Sequence, residues 1–377
     1  MHSIVAGELA ISIPSPLESL MYQGFKAIND IKCSQSIPTQ YGGDGQPWSL
    51  ALRIIRELAK VDASLAHVLG YHFFMLVQAH YKGSREQQAY FYRETAKHNW
   101  FWGNSSNPLE RSIMGKKAAD GANVSGKKGF SSGSPDSDML LISWNDDVSG
   151  GFHVGVVPTS RKGITVQDDW DSFGQRQTGS GTVVFDHVLV ENHEILDIDS
   201  RKHDAFSTLD PILSQSILAN IFVGSAEGAI AEARNYTLTK SRPWIASGVD
   251  QAAQDPFILR QYGEFWLELQ GAILLVEQAA NNLDEIWAKE FKLTELERGE
   301  SAVLIATANA FAAKAGLAIS SGILEVTGAR STASQYGFDR FWRNVRTHTL
   351  HNPTVYKLRN IGNWVLNGEI PEPGVYS

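Results

Sequence analysis

Residues 129–134 read Gly-Phe-Ser-Ser-Gly-Ser, which satisfies G-x-S-x-G with Ser131 in the nucleophile's place. A nucleophile of that kind needs a strand, a strained turn and then a helix, so that the hydroxyl stands clear of the sheet. Here Pro135-Asp-Ser-Asp138 and the strand-like run Met139–Trp144 follow, with no helical run after the proline. Strand, turn, strand is the wrong setting for an attacking Ser131. A plain structural turn is one alternative. The other is a polar ligand edge, since Ser131–Ser134 sets hydroxyls and amides in a row. His351 is a second candidate. It precedes Asn352-Pro353, where helices tend to stop, and a titratable imidazole beside an aromatic-rich segment can donate a proton. His348 and His351 could share a helix face, but with no nearby carboxylate they make a poor metal site, and no H-E-x-x-H is present. His193-Glu194 reads as a solvated loop pair, and Arg340 and Arg343 as a helix surface.

Three kinds of element must position these groups. Up to about residue 98 the chain reads as helical. Ser15-Pro16-Leu-Glu18 has the residues of a helix start, and Ser49 opens a segment through His80 with apolar residues at helical spacing. Ser84-Arg-Glu-Gln87 fits a capping box that opens a helix to about His98. From Asn99 the pattern turns to β-rich runs at Met139–Trp144, Phe152–Val157, Ile164–Gln167 and Thr182–Val190, separated by Gly, Asp, Asn and Ser clusters. After about Ala205 it is helical again. Ile258, Tyr262, Phe265, Trp266, Leu269, Ile273 and Val276 step by three and four. The expected division is 1–98 helical, 99–204 β and 205–377 a helical bundle.

The totals exclude several classes. With 377 residues and 43% hydrophobic content the chain can bury a large core. A net charge of −8, with a longest basic cluster of only Arg340–Arg346, argues against nucleic acid. A single cysteine, Cys33, allows no intrachain disulfide and fits a reducing cytoplasm. No signal-like basic start and no uninterrupted apolar run of membrane length is seen, so a cytoplasmic location away from membranes is expected. No G-x-G-x-x-G follows a strand and no P-loop is present; Gly179-Ser-Gly181 lacks a third glycine and a strand follows it.

The stretches LGYHFFM, WGNSSNP, KGFSSGS, DDWDSFGQRQTGSGTVVFDHVLV, SRPWIASGVDQAAQDPF, TGARST and FDRFWRNVRTHTLHNP, taken together, resemble the acyl-CoA dehydrogenase superfamily. Within it the likeness is to the flavin-dependent monooxygenases typified by dibenzothiophene monooxygenase. The resemblance implies an α+β fold with an N-terminal helical domain, a central β-domain and a C-terminal four-helix bundle, assembled as a homotetramer. It implies that Tyr71, Asn104, Lys128, Phe130, Ser131, Ser132 and Trp170 contact the flavin, with Tyr71, Phe74 and Phe130 also facing the substrate. Arg242, Ala329 and Arg330 would hold the flavin phosphate, across a subunit boundary. His351 and Ser132 would be catalytic.

Where dehydrogenases of this superfamily carry a catalytic glutamate, the chain has Leu350-His351-Asn352-Pro353. Abstraction of an α-proton from a thioester then has no obvious base. The Gln-x-x-Gly-Gly flavin segment of those enzymes appears as Glu325-Val-Thr-Gly328-Ala-Arg330, which favours FMN over FAD. The resemblance thus implies an FMNH2-dependent monooxygenase that uses O2 through a C4a-hydroperoxyflavin. Its substrate would be an organosulfur compound, as in desulfurisation, or alternatively a carbon or nitrogen centre of an aromatic or indole-like ring; an acyl-CoA dehydrogenase with a relocated base is the remaining alternative. Such an adduct needs a dry site, for which Tyr71, Phe73, Phe74, Phe130 and Trp170 could form walls. Ser247–Asp255 has the small residues of a lid. With no nicotinamide fingerprint, a separate NAD(P)H-dependent flavin reductase is implied.

Overall fold

The computed structural model describes residues 34–196 and 204–377. The helix start expected at Ser15-Pro16 and Cys33 lie outside the described residues. Four helices come first, α1 Trp48–Ala59, α2 Ala63–Leu76, α3 Gln78–Lys82 and α4 Arg85–His98. The segment expected as one helix from Ser49 to His80 is therefore divided. The backbone is extended at Asp62, whose carboxylate accepts the N–H groups of Ser64 and Leu65 and begins α2 afresh. The capping box is as expected, with Ser84 and Gln87 bonding reciprocally, and α4 ends where Asn99 turns left-handed.

Seven strands follow among the described residues. They are β1 Trp102–Ser105, β2 Met114–Ala118, β3 Gly121–Lys128, β4 Met139–Asp146, β5 Phe152–Pro158, β6 Ile164–Val166 and β7 Val183–Glu191. They form one sheet in the order β1-β4-β2-β3-β7-β6, with β5 antiparallel on β4. The four runs read from composition are β4 to β7. The other three strands are rich in Gly, Lys and Asn, and pairing rather than propensity makes them strands. In β3 the register shifts between Val124 and Gly126, where φ is +139° and a Cβ would lie 2.2 Å from the Ser112 carbonyl oxygen. Val124, Leu140, Ile142, Trp144, Phe185 and Val188 fill the core of this sheet.

Five helices complete the described chain: α5 Asp210–Thr239, α6 Pro256–Lys289, α7 Glu295–Thr327, α8 Asp339–Thr349 and α9 Thr354–Asn367. The first two helices pack on α5, so the early helices and the bundle share one apolar core. Helix α7 is long and apolar enough to cross a membrane by length and composition, unlike the expectation from uninterrupted runs, but it is the buried centre of the bundle. On α6, Phe265, Leu269 and Val276 are buried as their spacing predicts, whereas Trp266 is half-exposed. Glu194 is not solvated: it is buried against the Arg161 guanidinium, while His193 stays at the surface. Arg340 pairs with Glu232, and Arg343 pairs with Asp339 and donates to the Phe173 carbonyl.

Candidate functional site

Helices α2 and α3, the near edge of the sheet, the end of α8 and residues 373–376 enclose a cavity of about 750 Å³. Tyr71, Phe74, Phe130, Trp170 and Phe173 give it aromatic walls. Phe130 is held at φ +53°, unusual for a bulky residue, and its ring stays 63% exposed, edge-on to Trp170 at 5.8 Å. A strained backbone that holds an aromatic ring at a cavity wall fits a flat aromatic guest.

One wall carries a chain of polar side chains with a fixed direction. Thr178 donates its hydroxyl proton to the Gln175 carbonyl at 2.8 Å. Its oxygen lies 2.6 Å from the Ser180 hydroxyl, so Ser180 is the donor there, since each hydroxyl has one proton. The same count makes Ser132 the donor to Ser180 at 2.7 Å, and makes His67 Nε2–H the donor to Ser132 at 3.1 Å. This fixes the His67 tautomer with Nδ1 bare, and that buried atom has no partner. The His67 ring lies 4.1 Å from Tyr71 and 4.6 Å from His348, centroid to centroid.

Burial holds this cluster neutral. It pushes the His67 pKa down to about 3, with the neighbouring His351 a smaller cause, and it drives His348 well below the usual histidine value. His351 keeps its ring open towards the cavity, yet the dense protein around it, and then the Lys357 ammonium, lowers it too. Tyr376 meets the His351 ring edge-on at 5.8 Å. Tyr71 is raised by burial and stays a phenol.

Of the residues expected at the site, Tyr71, Phe74, Asn104, Phe130, Ser132, Trp170 and His351 all line this one cavity. Asn104 accepts the Ser106 N–H and hydroxyl and donates its own N–H to the Ser132 carbonyl, tying the two walls together. Lys128 and Ser131 do not reach it. The buried Lys128 ammonium donates to the Asn107 carbonyl and the Ser143 hydroxyl, and burial lowers its pKa to about 8. It braces the 104–109 wall from behind. Ser131 is fully buried, donates its one proton to the Lys128 carbonyl and meets the Ser105 hydroxyl at 3.1 Å, which removes it as a nucleophile. Phe73 is core, not wall. Arg242, Ala329 and Arg330 are exposed on the bundle, with Arg330 donating to the Lys240 carbonyl, and within one chain they line no part of the cavity. Residues 247–255 also lie off its walls.

Sequence reasoning missed His67, Gln175, Thr178 and Ser180. His67 had a readable signal: it stands one helical turn before Tyr71, on the same face.

Comparison with known proteins matches residues 105–188 to the middle domain, and residues 216–355 to the C-terminal domain, of acyl-CoA dehydrogenases. A probable FMNH2-dependent monooxygenase, SfnC of Pseudomonas putida, is 44% identical over 90% of this chain and 87% of its own. The chain belongs to the acyl-CoA dehydrogenase family. Within that family it belongs to the FMNH2-dependent monooxygenase branch. The solved structure of methanesulfinate monooxygenase MsuC from Pseudomonas fluorescens is 45% identical, with a TM-score of 0.90 over 96% of this chain and 92% of that one. The FMN-bound structure of TdsC, a dibenzothiophene monooxygenase from Paenibacillus sp. A11-2, is 36% identical, with a TM-score of 0.90 over 95% and 93%.

FMN is the cofactor of this branch, and the residues present fit it. His67 Nδ1 and Gln175 Oε1 are buried acceptors without partners in the cavity walls, next to aromatic rings that suit a flat heterocycle. Gln175 is itself at φ +56°, held by Asn344 through its N–H at 2.7 Å, as expected where an environment dictates an uncommon backbone shape.

Proposed function

We propose that this protein is the oxygenating component of a two-component FMNH2-dependent monooxygenase that oxygenates the sulfur atom of a small organosulfur compound. The observation that carries this reading is the directed chain from His67 through Ser132 to Thr178, set in a mostly apolar cavity and bordered by neutral imidazoles. When bound, reduced FMN supplies the electrons with which one atom of O2 enters the substrate and the other leaves as water. The aromatic walls exclude bulk water from that exchange. His67 fixes the Ser132 oxygen, and Ser132 presents its remaining lone pair and, on reorienting, its proton. His351, whose surroundings disfavour the imidazolium, donates a hydrogen bond from its neutral ring N–H to the departing oxygen, and passes that proton on only as its other ring nitrogen takes one up from water at the cavity mouth.

A dehydrogenase is the weaker reading. It needs a free carboxylate base at the flavin, and the one carboxylate among the described cavity-wall residues is Asp210, which already accepts from Tyr81, Gln78 and Lys82. Arg242, Ala329 and Arg330 reach a flavin phosphate only if a second copy brings them, so the reading includes a homo-oligomer, with a tetramer as the branch's expected form. It also includes a separate NAD(P)H-dependent flavin reductase.

The test supplies FMN, such a reductase, NADH and ¹⁸O₂ to the purified protein with a panel of thioethers, thiophenes and sulfinates. One ¹⁸O in a sulfur product is expected. Labelled carbon or nitrogen products instead would move the oxygenated atom, and acyl-CoA-dependent dye reduction without label would restore the dehydrogenase.

A further inference from the structure

Gln78 and Lys82 continue the cavity-facing stripe of His67, Tyr71 and Phe74 along α2 and α3. At 1.5 Å per residue, Lys82 stands about 22 Å along the helical path from His67. Lys82 marks the end of the cavity away from His67, and that end is ionic. Lys82 pairs there with Asp210, and Thr208 and Ser214 also line it. The Asp210 carboxylate is well compensated without the lysine. Its Oδ1 accepts from Gln78 at 2.8 Å and from the Tyr81 hydroxyl, and it sits in the first turn of the 30-residue helix α5. Lys82 gives one contact to Asp210 and retains further N–H donors, with a side chain only 15% exposed.

A wholly apolar substrate lying against this end would strip water from the pair and return nothing. We infer that the far end is an oxyanion subsite, and that the physiological substrate carries a carboxylate or a comparable acid remote from the sulfur that is oxygenated. The inference rests on the oxygenase reading for the sulfur end, while the subsite stands on its own contacts.

The test is calorimetric titration of the protein loaded with oxidised FMN, without reductase, using ω-(methylthio)alkanoates of six to twelve carbons and their methyl esters. At the best chain length the acid binds about tenfold or more tightly than its ester, the scale of a charge-assisted hydrogen bond. Lys82→Met brings the acid down to the ester's affinity, and Lys82→Arg keeps most of the preference. Equal affinity of acid and ester in the wild type overturns the subsite. So does an equal loss for both ligands in Lys82→Met, which marks a structural lysine. Weakened FMN binding in that variant overturns it as well, by giving the cation to the cofactor phosphate. A reductase-coupled assay separates the two readings. Acids that bind tightly and are never oxygenated strike the oxygenase reading and leave the subsite, whereas esters oxygenated as well as acids do the reverse.

Discussion

Ser180 carries no signal of its own in the sequence, yet its hydroxyl decides where the Ser132 proton points. Ser180→Ala removes that acceptor and frees the Ser132 proton to turn into the cavity. The unfolding free energy should fall by about 1 kcal/mol, and product formed per FMNH2 oxidised should change with it. An unchanged yield in single-turnover assays would show that the direction of the chain does not matter. Ser132→Ala should lose most activity while Ser131→Ala retains it, since only the former faces the cavity. For His351→Phe the expected outcome is FMN binding near normal by fluorescence and no oxygenated product; full product would remove His351 as the donor. Burial of neutral His67 also has a pH signature. The unfolded chain takes up a proton near 6.5 and the native state only near 3, so unfolding binds a proton below pH 6.5. The contribution to stability is complete above pH 6.5 and is lost as pH falls towards about 3. His67→Leu should flatten the fall of Tm over that window, and an unchanged slope would place the acid sensitivity elsewhere.

At the scale of elements, α2 is the part that matters most, because one helix carries His67, Tyr71 and Phe74 to the cavity. Its N-cap, Asp62, lies just over a turn before His67. Asp62→Ala should cost about 1 kcal/mol in thermal unfolding, and it should raise the fraction of FMNH2 oxidised without product more than a surface change of equal cost. The capping box at Ser84, the strands β4 to β7 and the stripe on α6 were legible because local pattern and tertiary role agree there. The division of α1 from α2 was not, since apolar spacing runs through the break and a single carboxylate decides it. Strands β1 to β3 were hidden for another reason: WGNS, MGKKA and GANVSGKK owe their extended shape to neighbours far along the chain. The site divides the same way. Tyr71, Asn104, Phe130, Ser132, Trp170 and His351 came from the family likeness and do line one cavity. Lys128 and Ser131 share a motif with Ser132 but are turned inward by bonds to Asn107, Ser143 and Ser105, and Thr178 and Ser180 emerge only when two loops are folded together.

On the whole molecule, several apolar side chains of the helical bundle are left outside. Phe257, Leu267 and Leu274 on α6, Val365 and Leu366 on α9, and Trp244 and Ile245 beside Arg242 are each at least two-thirds exposed. Patches of this kind are usual at protein–protein contacts. Sedimentation should give an oligomer, and Arg330→Ala should weaken FMN binding. Mixing refolded Arg330→Ala and His351→Phe chains gives the sharper reading. If the arginine serves a neighbour's site, some mixed assemblies hold one intact site, and activity should rise above that of either parent. A mixture no more active than its parents would return Arg330 to its own chain.

The polar chain that begins at His67 ends on the backbone carbonyl of Gln175. An amide oxygen does not take up a proton near neutral pH, so this path is a cul-de-sac. It can hold an orientation but cannot conduct to bulk water. A proton that Ser132 gives up is then not replaced along this chain, and Ser132 must be reloaded from the cavity that it faces.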